Sequence, residues 1–277
     1  MINRCTVLIA LALFAMGVLG PLPVVADEAG VEPTHVENRS RYLAAKATSA
    51  PNIDGIADEK VWDKVPWRAI SHRWLGPEFS ASDFAGRFKV VWTEEKLFIL
   101  AELVDDVLLD QYRDPLVQYW DDDCLEIFLD EDYSGGEHHY SHNAFAYHML
   151  LDNRAVDIGT DKLPRDYSHH VTSRWRQKSN TIVWELAIDI YSDSYSDKAD
   201  DALDSVKVVN TPVSLSAGKL LGLMIAYCDN DGTPLRENFI GSESVPHGPT
   251  DRGYKDAGLF GAVVLVDDGN QGALDDY

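Results

Sequence analysis

Cysteine is scarce: the chain has three in 277 residues, and Cys5 lies in an apolar leader. No disulfide framework of the kind that staples small exported domains is therefore available. Cys124 and Cys228 remain, and they read either as one disulfide or as two buried thiols. Positive charge is scarce as well, with 24 Lys and Arg against 46 Asp and Glu and a formal charge of -22. A surface this acidic repels phosphate backbones and anionic lipid, which excludes nucleic acid and charged membranes as partners. Long apolar runs are missing too: Gly17, Gly20, Pro21 and Pro23 interrupt the one near the N-terminus before it reaches the ~20 residues that span a bilayer. There is no Gly-rich phosphate loop, no heptad pattern and no internal repeat. Helical periodicity is confined to DEKVWDKV (58–65), which reads as a turn or two with Trp62 plugging an end of the core.

The N-terminal segment has a basic start at Arg4, an apolar stretch, and small residues at Val24 and Ala26 ahead of Asp27. This pattern predicts a secretory signal peptide over 1–26, and so a secreted protein, periplasmic or extracellular, with no membrane insertion after cleavage. Cutting after Ala26 removes one arginine and no acid, so the formal charge moves from -22 to -23. Residues 27–50 mix Glu, Pro, Ser and Ala without apolar periodicity and read as a linker or disordered arm, and 267–277 as a flexible tail.

Between them, residues 51–266 read as one domain. Short β-branched and aromatic segments recur at 86–92, 96–105, 124–130, 141–152, 169–178, 181–189, 219–228 and 259–266, separated by Gly, Asp, Asn and Pro. In TIVWELAIDI, Ile182, Trp184, Leu186 and Ile188 share one face and Val183, Glu185, Ala187 and Asp189 the other. Many strands and very little helix predict an all-β fold, an antiparallel β-sandwich of jelly-roll type.

Three constellations carry chemistry. In YWDDDCLEIFLDED (119–132) most of the acids read as solvated loop charges beside a strand. Glu126 differs, because it falls between Cys124 and Phe128 on one face of CLEIFLD, partly enclosed and in need of hydrogen-bond donors. The second is AYCDNDGTPLRENFIGSE (226–243). Its Asp229 and Asp231 suggest hard-cation ligands, although EF-hand spacing fails because Tyr227 and Asn238 would occupy the first and twelfth positions. The third is the histidine-rich EHHYSHNAFAYH (137–148), which has no zinc-ligand spacing.

Four motifs in order, PNIDGIADEKVWDKV (51–65), FKVVWTEEKLFILAELVDD (88–106), WDDDCLEIFLDED (120–132) and YKDAGLFGAVVLV (254–266), resemble carbohydrate-binding module family 9. The resemblance implies a β-sandwich of exported polysaccharide-degrading systems, often attached to a xylanase and serving carbohydrate catabolism. It implies that Trp120 and Tyr254 clamp a terminal sugar while Glu126 bonds its hydroxyls. The partners would be mono- or oligosaccharides and polysaccharide chain ends, with no cofactor required. The family also binds structural calcium through loop oxygens, for which Asp229 and Asp231 are the local candidates. The sequence departs from the family at Ala146 and Ala226, where an arginine and a glutamine are expected; His148, Asp229, Arg236 and Asn238 are the residues able to replace them.

The resulting expectation is a non-catalytic sugar binder, since no catalytic domain is evident. Two alternatives come from other classes. One is a haem-binding electron-transfer sandwich recruiting His148, Met149 and Met224. The other is a glycoside hydrolase acting through Glu126 and an aspartate. If the strands carrying Cys124 and Cys228 are neighbours, the two sulfurs can meet.

Overall fold

The structure is a computed structural model and describes residues 35–199 and 209–267. The expected leader over 1–26, the start of the arm and residues 268–277 of the tail lie outside the described residues. Within them, fourteen strands alternate with turns: β1 (Arg41–Lys46), β2 (Arg68–Ile70), β3 (His72–Leu75), β4 (Phe84–Trp92), β5 (Leu97–Asp105), β6 (Cys124–Asp130), β7 (Phe145–Leu150), β8 (Ala155–Ile158), β9 (Pro164–Asp166), β10 (Val171–Lys178), β11 (Thr181–Ile188), β12 (Leu220–Asp229), β13 (Asn238–Gly241) and β14 (Gly261–Val266). Helical structure is limited to short 3-10 turns, of which Lys60–Lys64 corresponds to the segment expected at 58–65.

Hydrogen bonding runs in one path, β10-β11-β5-β4-β1-β14-β12-β6-β7-β8-β9, with β2 on β4 and β13 bridging β12 and β3. The path folds back on itself. One apolar cluster takes Phe88 and Val90 of β4, Ile99 and Leu103 of β5 and Trp184 and Leu186 of β11 from one half. From the other half it takes Leu125 and Ile127 of β6, Tyr147 of β7, Leu223 and Ile225 of β12 and Val263 of β14. The period-2 alternation of each strand thus buries one set of side chains between two sheets, which makes the sandwich.

Three features depart from the sequence reading. First, Arg41–Lys46 was expected within the arm, yet it is a central strand whose Ala44 and Ala45 are 0% and 2% exposed. RYLAAK lacks the β-branched residues that mark a strand, and its small side chains suit a position squeezed between neighbours. Second, the sheet is mixed rather than wholly antiparallel, because β1 runs parallel to both β14 and β4 (Tyr42 opposite Val263, Ala45 opposite Val91). Third, Trp62 does not plug an end of the main core. It covers the outer face of the β4/β5/β11 sheet in a separate cluster with Val91, Phe98, Leu100 and Ala187.

Candidate functional site

The outer face of the other sheet makes the floor of a cleft. Glu126 of β6 lies opposite Ala226 of β12 and His148 of β7, and Cys124 lies opposite Cys228. Leu125, Ile127 and Leu129 point into the sandwich, so period 2 turns Cys124, Glu126 and Phe128 outward. Above this floor is a cleft of about 320 Å³ whose lining includes Tyr119, Trp120, Glu126, His148, Arg236 and Tyr254.

Trp120 stands on the loop that enters β6, and the adjacent acids hold that loop. Asp121 accepts from Arg236 N at 3.1 Å, Asp122 from Gln111 N and Tyr112 N at 3.0 Å each, and Asp123 from Asn230 N at 2.7 Å. All three are buried, at 4%, 6% and 1% exposure, which corrects their reading as solvated charges. Each carboxylate replaces a secondary-structure partner for loop N–H groups that have none. Tyr119 is buried and meets Trp120 edge-on at 4.9 Å and His148 at 4.7 Å, leaving Trp120 40% exposed.

Tyr254, 39% exposed, stands on the loop before β14. Gly253 lets that loop lie on the sheet, since a Cβ there would come within 2.5 Å of Met224 Cε. The His138 ring donates from Nε2 to the Gly253 carbonyl at 2.9 Å, and His138 N donates to Lys255 O at 3.0 Å. Burial lowers His138 to about 4, so the ring is neutral. His138 and His139 are therefore scaffolding for the Tyr254 loop, with His139 edge-on to the tyrosine at 5.2 Å, whereas His142 turns to Asp197 at 3.2 Å.

The floor is polar, and burial shifts its titratable groups toward their neutral forms. Burial raises Glu126 well above the usual carboxylate range, and burial followed by the nearby Arg236 lowers His148 to about 3. Glu126 faces His148 Nε2 at 3.3 Å, while His148 Nδ1 donates to the Ala146 carbonyl at 3.1 Å. Burial also raises Asp157 to about 7, although its carboxylate accepts from Ala146 N and Ile158 N, each at 2.7 Å. Arg236 lies 3.9 Å from the Phe239 ring centroid, with Nη1 3.3 Å from Cys228 Sγ.

Of the residues singled out in the sequence, Trp120, Glu126, His148, Arg236 and Tyr254 converge here. Asp229 and Asn238 do not line the cleft. Asn238 donates to Pro77 O at 2.9 Å, and Asp229 joins Asp105 and Asp123 in a buried group whose ligand oxygens lie within 4.8 Å of one another. Asp231 falls in a different group, with Asp83 and Asp106, so the two suggested cation ligands are not partners. Burial raises Asp105, Asp123 and Asp229 to about 6, 9 and 8. Cys124 and Cys228 are buried free thiols on directly opposed positions. Met149 belongs to the inner core, on the face opposite His148, so the two cannot serve one haem iron. Sequence reasoning missed Tyr119, although it neighbours Trp120. It also missed Asp157, whose four-residue strand is too short to show a period, and Asp251.

Residues 53–268 match the pattern of the family described as carbohydrate family 9 binding domain-like. Two solved structures are similar to the chain, both of a carbohydrate-binding module family 9 protein from Caldicellulosiruptor kristjanssonii, one in complex with glucose and one with cellotriose. Each is 17% identical with a TM-score of 0.58, and the match covers 83% of this chain and 98% or 96% of the other. These likenesses bear on the fold, which is the β-sandwich. Among curated proteins, none matches the chain.

Proposed function

The chain belongs to the carbohydrate family 9 binding domain-like family, and from that membership and the cleft we propose that it holds a sugar or the end of an oligosaccharide without cleaving it. The observation that carries this reading is the pair of part-exposed rings, Trp120 and Tyr254, on one cleft over a buried polar floor. The C–H face of a pyranose packs on such rings, and its rim hydroxyls bond to the Glu126 carboxyl and the Arg236 guanidinium. A volume of about 320 Å³ is at the small end of the roughly 300–1,000 Å³ of small-molecule sites, which suits a terminal residue rather than a long chain. A non-catalytic role follows the family, which is described as a binding domain.

Two further parts of the reading concern the setting. Export follows from the leader-like residues 1–26, and a place beside polysaccharide-degrading enzymes follows from the family. A structural calcium ion is proposed at Asp105, Asp123 and Asp229, whose hard oxygens suit it. Calcium bound there would supply charge neutralisation under the Trp120 loop, since Asp123 also accepts from Leu109 N.

Calorimetric titration with glucose, xylose, cellobiose and xylo-oligosaccharides, with calcium present and then chelated, tests these points together. A stacking ring contributes about 0.5–1.5 kcal/mol beyond area burial, so Trp120→Ala is expected to weaken binding by at least about threefold to tenfold. Unchanged affinity in that variant would remove the ring from the site. Release of reducing sugar, abolished by Glu126→Gln, would establish the hydrolase instead. Identical binding and melting temperature in the chelator would exclude the calcium.

A further inference from the structure

Arg236 gives this cleft a fixed positive group. It is the one Lys or Arg among the lining residues. Its backbone N–H is held by Asp121 at 3.1 Å and its guanidinium lies on the Phe239 ring, so the group is fixed in place. One donor goes to Cys228 Sγ at 3.3 Å. Among the described residues no carboxylate oxygen comes within the 4.0 Å of an ion pair with the guanidinium. Burial opposes its charge, while Cys228 and Glu126 nearby favour it, so the guanidinium is enclosed among polar neighbours yet meets no carboxylate bidentately.

The carboxyl groups nearby do not meet the guanidinium fork directly. Glu126 points to His148 at 3.3 Å, and Asp157 is taken up by Ala146 N and Ile158 N. Asp251 lines the cleft but makes no ion pair with Arg236. It would repel an anion placed beside it, which leaves the Arg236 end as the position for a negative group. A guanidinium has five donors in a planar fork that matches a carboxylate bidentately, and a sugar hydroxyl meets only part of that fork and none of the charge.

We propose that the ligand is an acidic sugar, a uronic acid or a chain end carrying one, whose carboxylate is held by Arg236 while its ring stacks on Trp120 and Tyr254. This rests on the sugar-binding reading above and narrows it. Glucose and xylose then fit the rings but offer the guanidinium only neutral hydroxyls, so they bind as weaker analogues.

The test is calorimetric titration of the full chain with glucuronate and galacturonate, their methyl esters, and glucose and galactose, at constant ionic strength. One acid is expected to bind about tenfold or more tightly than its own ester and its neutral parent, the gain of a charge-assisted bidentate pair. Arg236→Gln is expected to bring that ratio towards unity, and Arg236→Lys, which keeps the charge and loses the fork, to retain only part of it. Equal affinity for acid and ester, or tighter binding of the neutral sugars, overturns the acidic-sugar proposal and leaves sugar binding standing. No binding of any of the six, nor of xylose, cellobiose or the xylo-oligosaccharides, overturns the sugar-binding reading itself. The acid-to-ester ratio in the unmutated chain decides the matter even if a variant fails to fold.

Discussion

Asp157 shows how burial and hydrogen bonding compete at a single side chain. Its two backbone N–H bonds favour the anion, but loss of solvent raises its pKa from 3.8 to about 7. Between about pH 4 and pH 7 the unfolded chain has released this proton while the folded chain keeps it. Raising pH through that window therefore favours unfolding, and the stabilising contribution is fully present only below the unfolded value. Asp130, raised by burial to about 7, acts in the same direction. Melting temperatures followed by circular dichroism from pH 4.5 to 7.5 are compared between the unmutated chain and Asp157→Asn, which keeps an acceptor and loses the titration; the variant is expected to gain relative to the unmutated chain as pH rises, since the opposing contribution of the buried neutral His138 and His148 cancels in the difference. A variant tracking the unmutated chain at every pH would assign the dependence to other groups. The acid run beside Trp120 teaches the same point from another side. Asp121, Asp122 and Asp123 look like surface charge in sequence, yet their oxygens end on loop N–H groups.

Among the elements, β3 and β13 lay the rest of the cleft's surroundings against β12. The two strands pair around Gly241 opposite His72 and Phe239 opposite Leu75. The Trp74 ring lies directly over Gly241, where a Cβ would come within 1.9 Å of Cζ2. The same indole donates to Glu243 O at 2.8 Å and meets Phe239 edge-on at 4.8 Å, so it has little freedom to move. Gly241→Ala is expected to cost about 1–3 kcal/mol by overpacking, a drop of several degrees in melting temperature. Adding Trp74→Phe, which removes the clashing atoms, should restore part of it. Additive losses in the double variant would show that the two residues do not oppose each other. The long strands were legible because five or more alternating residues mark a face. β3 and β13, at four residues each, were not, since so short a run does not establish a period. The NIDG turn near the start of the domain has a similar history: its motif is plain in sequence, but only the fold shows Glu185 of β11 accepting from Asp54 N and Gly55 N, at 3.2 Å and 2.9 Å.

For the whole molecule, charge and the N-terminal pattern lead to one prediction. If residues 1–26 are a cleaved leader, the form recovered outside the cytoplasm begins at Asp27, as N-terminal sequencing would read; a form retaining Met1 and sedimenting with membranes would contradict export. An acidic chain in that setting would meet an acidic sugar only through a local cation, which gives Arg236 its importance. Sequence alone determined the sandwich class and the inward and outward faces of its long strands, because alternation is local information, while the grouping of Trp120, Glu126 and Tyr254 was legible only through the family resemblance of the ordered motifs. Tertiary structure alone decided that Arg236 and His148 join them while Asp229 and Asn238 do not. Position in the cleft depends on which strands become neighbours and on which carboxylates are consumed by loop backbone, and both are settled by long-range pairing that no local pattern records.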